Sequence, residues 1–390
     1  MAEAEAYLRA AERSVSQLAG LEGVAPLATA AVGVIGGGTM GAGIATAALL
    51  AGRSVTMIER DEAALGRGLE TVRGHLAGAL KRGKLDADGH ARALGRLAGA
   101  TDYGALGAAD IVIEAVFEDM EVKRAVFAEL DQATRSDAIL ATNTSYLDVN
   151  RIAAAVADPG RVVGLHFFSP AHVMKLVEVI RTEAVRPEVL ATALGFARDL
   201  GKIAVPSGVC DGFIGNRIMS VYRREADYML EEGALPHEVD AAMTGFGFPM
   251  GVFAMQDLAG LDIAWAMRKR RAAARPASER YVAIADRLCE MGRLGRKTGA
   301  GWYDYPGGQA VPSPVTEGII AEEARRSGVA RRTFTSGEIM ARILEVMQAE
   351  GRAVLAEGIA ASPEAIDVVM VNGYGFPRRR GGPMWMLKHD

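Results

Sequence analysis

A histidine and a glutamate lie within one apolar segment, GLHFFSPAHVMKLVEVI, residues 164–180. His166 and Glu178 each fall in a run typical of buried strands, where an unpaired polar group is costly. A carboxylate behind an imidazole raises the basicity of the ring and fixes its tautomer, as a general base near neutral pH requires. Alone, His166 would more often be a satisfied core histidine and Glu178 an edge residue. Together they predict a contacting pair, on adjacent strands, that accepts a proton.

A glycine loop lies upstream of this pair. VGVIGGGTMGAGIA places Gly36, Gly38 and Gly41 in G-x-G-x-x-G spacing between a strand-like run and a helical pattern. The glycines permit a tight turn, the approach of a pyrophosphate to the backbone, and close packing of strand and helix. Glu59 ends the next strand-like run, about 20 residues on, where an acidic residue accepts hydrogen bonds from ribose hydroxyls. It would repel a 2′-phosphate, which favours NAD over NADP, although Arg60 beside it weakens this preference.

Short apolar runs alternate with helical patterns from Ala31 to about residue 206. The strand-like runs are AVGVIG, SVTMIE, ADIVIEAV, AILATN, RVVGLHFF and KLVEVI. The helical patterns are MGAGIATAALLAG, EDMEVKRAVFAELDQAT and RPEVLATALGFARDLG. This alternation predicts an α/β fold, a Rossmann-like doubly wound sheet that binds ligands at the carboxyl ends of its strands.

The periodicity is helical from Phe213 onward, with no convincing strand. Two segments of this part, beginning at Arg217 and Arg342, share a long helical pattern, an acidic stop with glycine, a second helical pattern and a G-[FY]-G-F-P turn. They indicate an all-α domain with an internal duplication, whose second copy is truncated soon after GGPMWM. We expect residues 336–390 to pack on 213–270 with approximate two-fold symmetry, which favours a monomer. An apolar surface exposed by the truncation would instead favour a dimer.

The predicted organisation has five parts. They are an N-terminal linker helix (1–30), an NAD-binding Rossmann domain (31–208), a first helical copy (209–305), a linker (306–335) and a second, truncated helical copy (336–390).

Composition excludes several classes of function. A formal net charge of -4 gives no reason to expect nucleic acid or an anionic membrane as partner. No run of about 20 apolar residues is present, so we expect no membrane span, and the N-terminus does not have the pattern of a signal peptide. The two cysteines, Cys210 and Cys289, have no metal-like spacing, which predicts no metal site and a reducing, cytoplasmic environment.

The order of the motifs identifies a resemblance. The glycine loop, NTS at 143–145, HFFSPAHVMKLVEVI and GFIGNR at 212–217 follow one another as in the L-3-hydroxyacyl-CoA dehydrogenases. LEEG, GFGFPMG, DLAGLD, GRKTGAGWYDY and GYGFPRRRGGPM make the chain most similar to the dehydrogenase half of peroxisomal-type multifunctional β-oxidation enzymes and their bacterial relatives. Ser169 replaces an asparagine of many monofunctional relatives, which indicates this branch. We expect the hydratase half to be absent, with a separate enoyl-CoA hydratase as a candidate partner.

The resemblance implies NAD-dependent oxidation of an (S)-3-hydroxyacyl-CoA to the 3-oxoacyl-CoA. His166 would take the proton of the 3-hydroxyl group, and Glu178 would orient its ring. Asn216 would donate a hydrogen bond to a substrate oxygen, and Ser145 would bond the reacting oxygen. The cofactor residues that it implies are Gly36, Gly38, Thr39, Met40, Gly41, Glu59, Ala115, Glu118, Lys123, Asn143 and Lys297.

Several of these residues have ordinary structural explanations as well. Asn216 lies where asparagine commonly caps a helix, and Ser145 stands in a common turn composition. Glu118 and Lys123 are also compatible with ordinary charges of a helical surface. Lys297 carries a role only through the resemblance.

The phosphates of coenzyme A require positive charge. KRGKLDAD supplies Lys81, Arg82 and Lys84 at the end of a helical pattern, and we predict that Lys84 or Lys81 contacts these phosphates. A solvated helix end is the alternative. The histidines outside the pair stand in polar or terminal contexts and are expected at the surface; they are His75, His90, His172, His237 and His389.

Two other functions remain open at this stage. One is a dehydrogenase of a free hydroxy acid or sugar acid, since related folds act on such substrates. The other is an NAD-binding partner or sensor protein without turnover, evolved from a truncated multifunctional enzyme.

Overall fold

Residues 2–272, 275–276 and 278–389 are described by a computed structural model of the chain. Met1, Ala273, Ala274, Ala277 and Asp390 lie outside the described residues, and the predicted linker helix, first copy and second copy each include one or more of them. The chain divides into two units. The first contains the described residues of Met1–Arg217, Gly351–Tyr374 and Arg378–Asp390, and the second contains Ile218–Glu350 and Gly375–Pro377.

The first unit is built on a twisted sheet. Among the described residues the sheet has eight strands in the order β3-β2-β1-β4-β5-β6-β7-β8, with neighbours parallel except for the antiparallel β6–β7 pair. The strands are β1 (Ala31–Ile35), β2 (Ser54–Ile58), β3 (Leu97–Ala100), β4 (Ile111–Glu114), β5 (Ile139–Thr142), β6 (Val162–Phe167), β7 (Leu176–Ile180) and β8 (Ile203–Ser207). This confirms the predicted Rossmann-like fold. Strands β3 and β8 were not predicted.

Helices cover both faces of this sheet. They are α2 (Thr39–Leu50), α3 (Glu62–Lys81), α4 (Ala87–Leu94), α5 (Met120–Ala133), α6 (Val149–Ala153) and α7 (Pro187–Asp199), and they follow α1 (Ala2–Ser14). One core cluster joins the sheet to α2, α3 and α7, and a second joins it to α5 and α6. Because both faces are buried, most of the strands are apolar throughout.

Aspartates start four of these helices. The side chains of Asp61, Asp86, Asp119 and Asp148 accept backbone N–H groups in the first turns of α3, α4, α5 and α6. These bonds satisfy donors that a helix N-terminus otherwise leaves unpaired.

The rest of the chain is mainly helical. Its helices are α8 (Gly215–Glu232), α9 (Pro236–Phe246), α10 (Val252–Ala259), α11 (Leu261–Arg271), α12 (Ile284–Glu290), α13 (Pro314–Arg326), α14 (Ser336–Ala356), α15 (Pro363–Gly373) and α16 (Pro383–His389). Helices α9 to α13 belong to the second unit, and α15 and α16 belong to the first.

The expectation of no strand after Phe213 was wrong. The short strands β9 (Tyr303–Asp304) and β10 (Val311–Pro312) pair antiparallel. Buried Asp257 explains this hairpin, because its carboxylate accepts the backbone N–H groups of Trp302 and Tyr303 at 2.9 and 3.0 Å. The predicted linker 306–335 also contains a helix, α13, and the predicted linker helix 1–30 is helical only in α1. The five domain boundaries therefore stay a prediction.

The two predicted copies share one buried arrangement. In the first copy, Asp240 of α9 accepts the N–H groups of Phe253 and Ala254 at the start of α10, at 2.9 and 2.8 Å. In the second copy, Asp367 of α15 accepts the N–H groups of Met384 and Trp385 at the start of α16, at 2.8 and 2.9 Å. This likeness supports the duplication; the two-fold packing of the copies and the monomer stay predictions.

A tyrosine completes each arrangement. The hydroxyl of Tyr303 donates to Asp240 at 2.8 Å, and that of Tyr7 donates to Asp367 at 2.7 Å. Tyr7 lies on α1, so the N-terminal helix supplies to the second copy what the β9 strand supplies to the first. Glu12 adds a further attachment of α1, since it accepts hydrogen bonds from Asn372 and Arg378 at 2.9 and 2.6 Å.

We expect Tyr7→Phe to reduce the free energy of unfolding by about 1–3 kcal/mol, because it leaves a buried carboxylate with one donor fewer. Burial raises the pKa of Asp367 to about 7, above its value in an unfolded chain. Asp367 therefore reduces the stability of the folded state increasingly as the pH rises from about 4 to 7. The hydrogen bond from the Tyr7 hydroxyl stabilises the ionised Asp367 carboxylate and so offsets part of this loss. The loss should be larger at about pH 8 than at about pH 5.

Urea titrations at the two pH values measure this loss. Tyr303→Phe is the matched variant, since it removes the corresponding hydroxyl from Asp240, and it should cost a similar free energy. A Tyr7→Phe protein as stable as the wild type at both pH values would contradict the assigned role.

Candidate active site

His166 and Glu178 stand directly opposite each other on the antiparallel β6–β7 pair. Nδ1 of His166 lies 2.7 Å from Oε2 of Glu178, and both side chains are buried. The second carboxylate oxygen, Oε1, accepts the backbone N–H groups of Ile214 and Gly215 at 3.0 and 3.1 Å. Because Glu178 acts only as an acceptor in this arrangement, the ring proton belongs on Nδ1. Nε2 then carries the lone pair and can accept a proton.

Aromatic side chains surround the imidazole. The ring centroids of Phe168 and Phe213 lie 4.7 and 5.6 Å from that of His166. Phe213 is fully buried and adopts a positive φ of 51°, in the turn before α8. These rings keep the environment of the His166–Glu178 contact apolar, which strengthens its electrostatic component.

Most of the candidate residues lie at the carboxyl ends of neighbouring parallel strands. Strands β1, β4, β5 and β6 are parallel neighbours, so their carboxyl ends lie at one edge of the sheet. The glycine loop follows β1, Ala115 follows β4, Asn143 follows β5, and His166 lies next to the end of β6. Asn143 Oδ1 accepts the backbone N–H of Phe167 at 2.9 Å, which ties the β5 and β6 ends together.

The glycine loop has the geometry that a dinucleotide requires. Gly36 has φ +93°, and a Cβ there would lie 2.8 Å from the carbonyl oxygen of Ala115. A Cβ on Gly41 would lie 1.8 Å from the carbonyl oxygen of Gly36, so only glycine lets α2 start this close to β1. A Cβ on Gly38 would meet no atom within 4 Å. Thr39 and Met40 form the first turn of α2, whose free N–H groups suit a pyrophosphate.

Glu59 lies beside this loop. It follows β2, and its Oε1 accepts the backbone N–H of Gly37 at 2.7 Å while its Oε2 accepts that of Arg60 at 3.1 Å. The half-buried carboxylate is therefore fixed next to the glycine loop, where a ribose would bind.

A buried ion pair, which the sequence did not reveal, supports the end of β4. Lys123 Nζ lies 2.6 Å from Glu114 Oε1, and the side chains of both residues are buried. Thr142 Oγ1 donates to Glu114 Oε2 at 2.7 Å, and Glu118 Oε2 lies 3.5 Å from Lys123 Nζ. A glutamate inside the otherwise apolar run IVIE was the available signal, because such a group requires a partner.

Glu118 organises the loop after β5. Its Oε1 accepts hydrogen bonds from Thr144 Oγ1 at 2.6 Å and from the N–H groups of Ser145 and Tyr146 at 2.9 and 3.1 Å. The contacts of Glu118 and Lys123 with the nicotinamide ribose stay a prediction.

Asn216 connects the start of α8 to this loop. Its Nδ2 lies 3.4 Å from the carbonyl oxygen of Ser145, and its Oδ1 accepts the hydroxyl of Tyr374 at 2.9 Å. The ring of Tyr374 also contacts that of Phe168 edge-on, with centroids 5.6 Å apart. Tyr374 was not predicted, although its motif, G-Y-G-F-P, had been recognised as a repeat.

The predicted lysines lie in different units. Lys84 is exposed and follows the end of α3 in the first unit. Lys297 lies in the second unit, where its ammonium pairs with Asp262 at 2.5 Å. The roles of both lysines stay predictions.

The expectation of surface histidines was wrong for four of the five. His389 is exposed, whereas the other four are half-buried; they are His75, His90, His172 and His237. The rings of His75 and His172 stack on each other, a tertiary contact that their polar sequence neighbours do not indicate.

The described part of the chain has neither a cluster of metal ligands nor a helix that could span a membrane. Residues 2–272, 275–276 and 278–389 contain no group of three or more His, Cys, Asp or Glu side chains placed to hold a metal ion. None of the helices described in these ranges is both long and apolar enough to cross a membrane.

Family models match most of the chain. Residues 31–210 match the 3-hydroxyacyl-CoA dehydrogenase NAD binding domain, and residues 212–305 match the 3-hydroxyacyl-CoA dehydrogenase C-terminal domain. The chain is 42% identical to a peroxisomal bifunctional enzyme of Danio rerio over 90% of this chain and 50% of the relative. It is 41% identical to the human peroxisomal bifunctional enzyme over 91% of this chain and 51% of the relative. The chain thus spans about half the length of these curated relatives.

Solved structures give the same assignment. A 3-hydroxybutyryl-CoA dehydrogenase of Escherichia coli superposes with a TM-score of 0.81 at 31% identity, over 93% of this chain and 92% of that one. The dehydrogenase part of multifunctional enzyme 1 from C. elegans gives a TM-score of 0.67 at 28% identity, over 95% of this chain and 86% of that one.

The glycine loop yields a prediction about dinucleotide binding. We expect Gly38→Ala to weaken NADH binding at least about tenfold, since the methyl group would stand where a pyrophosphate approaches the backbone. The fold should tolerate it, because no atom lies within 4 Å of the new Cβ. Fluorescence titration with NADH and a thermal unfolding curve measure the two effects.

Gly66→Ala is the matched control. Gly66 lies on α3, and a Cβ there also meets no atom within 4 Å, so NADH affinity should be preserved and thermal stability should be equal or slightly higher. Unchanged NADH affinity in Gly38→Ala would refute the placement of the dinucleotide on this loop.

Proposed function

The chain belongs to the 3-hydroxyacyl-CoA dehydrogenase family, and from this premise we propose that it oxidises (S)-3-hydroxyacyl-CoA reversibly to 3-oxoacyl-CoA with NAD. The observation that carries the proposal is the contact of His166 Nδ1 with Glu178 Oε2, at 2.7 Å. It leaves a basic Nε2 at the sheet edge that also bears the glycine loop. Dehydrogenation of a secondary alcohol requires this combination of a base and a dinucleotide site.

The substrate loses a hydride from C3 and a proton from its hydroxyl group. Bound NAD supplies the hydride acceptor. His166 Nε2 takes the hydroxyl proton in the oxidation and returns it in the reverse reaction. Glu178 stabilises the imidazolium formed in this step, and its two bonds from Ile214 and Gly215 keep the carboxylate in place.

Asn216 and Ser145 would hold the substrate oxygens. Because Tyr374 occupies Asn216 Oδ1, the amide of Asn216 presents its Nδ2 as the donor. That donor can polarise the 3-oxo or thioester oxygen, which favours the charge that develops on it. The Ser145 hydroxyl would bond the reacting oxygen from the loop that Glu118 fixes.

The charges around the site favour NAD and a CoA thioester. Glu59 would repel a 2′-phosphate, which disfavours NADP. Lys84 or Lys81 would contact the phosphates of coenzyme A at the end of α3. This positive charge gives the CoA thioester an advantage over a free hydroxy acid.

The proposal also covers a partner enzyme and the cellular compartment of the protein. Because relatives of about twice the length are named bifunctional enzymes, we infer that an enoyl-CoA hydratase is the partner that supplies the 3-hydroxyacyl-CoA. Both cysteines are free, which favours a reducing compartment such as the cytoplasm, although several relatives are named peroxisomal or glyoxysomal. Cell fractionation distinguishes these locations.

We expect His166→Gln to lower kcat for the reduction of acetoacetyl-CoA by about 100- to 10,000-fold, because the general base is removed. Glu178→Gln should cause a comparable loss. Its amide oxygen can still accept the bonds from Ile214 and Gly215, while its NH₂ group forces the ring proton from Nδ1 to Nε2. NADH affinity should stay within about threefold in both variants, since neither residue lies on the glycine loop.

Oxidation of NADH followed at a series of acyl chain lengths measures kcat, with free acetoacetate as the competing substrate. His237→Gln, on α9, is the control and should keep wild-type activity. Equal turnover of acetoacetate would favour a free-acid dehydrogenase. NADH binding without turnover of any acyl-CoA would favour a non-catalytic NAD-binding protein.

A further inference from the structure

Two histidines stack on each other, and one of them lies in the loop that follows His166 and strand β6. His75 lies on α3, and His172 lies in the loop between β6 and β7. Their ring centroids are 4.1 Å apart and their planes are inclined by 27°. Two stacked imidazoles cannot both become charged without a compensating anion, because like charges at this distance repel.

The tautomer of His75 follows from its neighbour on α2. Thr46 Oγ1 lies 3.1 Å from His75 Nδ1, and the same hydroxyl donates to the carbonyl oxygen of Ala42 at 2.7 Å. Since the Thr46 proton is used in that bond, the hydroxyl oxygen is the acceptor and His75 Nδ1 is the donor. The nitrogen on which His75 can gain a proton is therefore Nε2.

The charged side chains that face the two rings are basic residues, which carry positive charge. Burial and then the charges of His75, Lys202, Arg82 and Lys84 lower the pKa of His172 to about 4. Burial and then Arg82 lower the pKa of His75. Arg82 and Lys84 come from the end of α3 and Lys202 from the turn before β8, while the facing residue of α2, Thr46, is uncharged.

Lys202 fixes the loop that carries His172. Its side chain is buried, and Nζ donates to the carbonyl oxygens of Ala171 and Met174 at 2.6 and 2.7 Å. Burial and the charge of Lys84 lower the pKa of Lys202 to about 8. One ammonium group thus holds carbonyl groups on both sides of His172 and restrains the backbone that carries the ring.

We propose that the His75–His172 pair binds a phosphate group of the CoA substrate and takes up a proton when the phosphate binds. This inference rests on the proposed function and adds a proton-linked element to substrate binding. A phosphate beside the rings stabilises an imidazolium, and it is also attracted by Arg82, Lys84 and Lys202. The ordered geometry of the pair, rather than the presence of lysines at a helix end, distinguishes this site from ordinary basic surface.

The direction of the pH dependence follows from linkage. In the free protein both rings are neutral at neutral pH, since their pKa values are lowered. A bound phosphate raises the pKa of a ring in the complex, so the complex holds more protons than the free protein over the interval between the two pKa values. The contribution of the rings to CoA affinity therefore rises as the pH falls through that interval.

Calorimetric titration with free CoA at about pH 8 and about pH 6 tests this inference without turnover. We expect the wild type to gain about three- to tenfold more affinity between these pH values than His172→Asn or His75→Asn, each of which lacks one ring of the pair. Wild-type binding should also consume protons, seen as a dependence of the measured heat on the ionisation enthalpy of the buffer. The titration of free CoA is common to every protein and cancels in the comparison of variants.

Three further measurements make the experiment more specific. Dephospho-CoA, which lacks the 3′-phosphate, shows which phosphate the rings contact. The extra pH dependence should disappear with this ligand if the rings contact the 3′-phosphate, and it should persist if they contact the pyrophosphate. His237→Asn is the control histidine and should bind like the wild type. Lys84→Gln, an exposed position that the fold tolerates, should weaken CoA binding at both pH values while the ring-dependent gain persists.

An identical pH dependence of CoA affinity in the wild type and both histidine variants would overturn the inference and leave the proposed dehydrogenase function intact. Absence of CoA binding in the wild type at either pH, with NADH still bound, would overturn both. Thermal unfolding of each variant confirms that the compared proteins are folded.

Discussion

The fold around the candidate site depends on satisfying one buried carboxylate. Glu178 lies in the interior of the sheet, where an uncompensated charge would cost several kcal/mol. Its oxygens receive the His166 ring from the neighbouring strand and two backbone N–H groups from the start of α8. These bonds fix two separate chain segments relative to one side chain. Because the buried charge of Glu178 needs hydrogen-bond donors, the His166 imidazole is held in one position.

The start of α8 must bend sharply to bring its N–H groups to Glu178. Gly212 and Phe213 both adopt positive φ values, which turn the chain directly before Ile214 and Gly215. Gly215 is required for a second reason, because a Cβ there would lie 2.1 Å from the ring of Tyr374. That close approach lets the Tyr374 hydroxyl reach Asn216. The Glu178 carboxylate, by fixing the start of α8, therefore also fixes the position of Asn216, which we propose to hold the substrate.

Local signals in the sequence were sufficient for the glycine loop, six of the strands and the pairing of His166 with Glu178, because each depends on apolar periodicity or on short spacing. Strand β3, with the sequence LAGA, was missed because alanine and glycine carry little strand preference. Glu114 and the stacked His75 were missed for a different reason. Their partners lie on other elements, so only the tertiary structure shows which groups they contact.

The duplicated aspartates show how such a requirement can be met by unrelated segments. Asp240 and Asp367 each cap a following helix with their carboxylates, and each needs a third donor because burial raises the pKa of both. A tyrosine hydroxyl meets this need in both copies, but Tyr303 comes from a strand at the end of the first copy, whereas Tyr7 comes from the N-terminal helix, outside the second copy. What the two copies share is therefore the buried charge and its geometry, while the segment that completes it differs. This makes α1 a part of the second copy in structural terms, although it is distant from that copy in sequence.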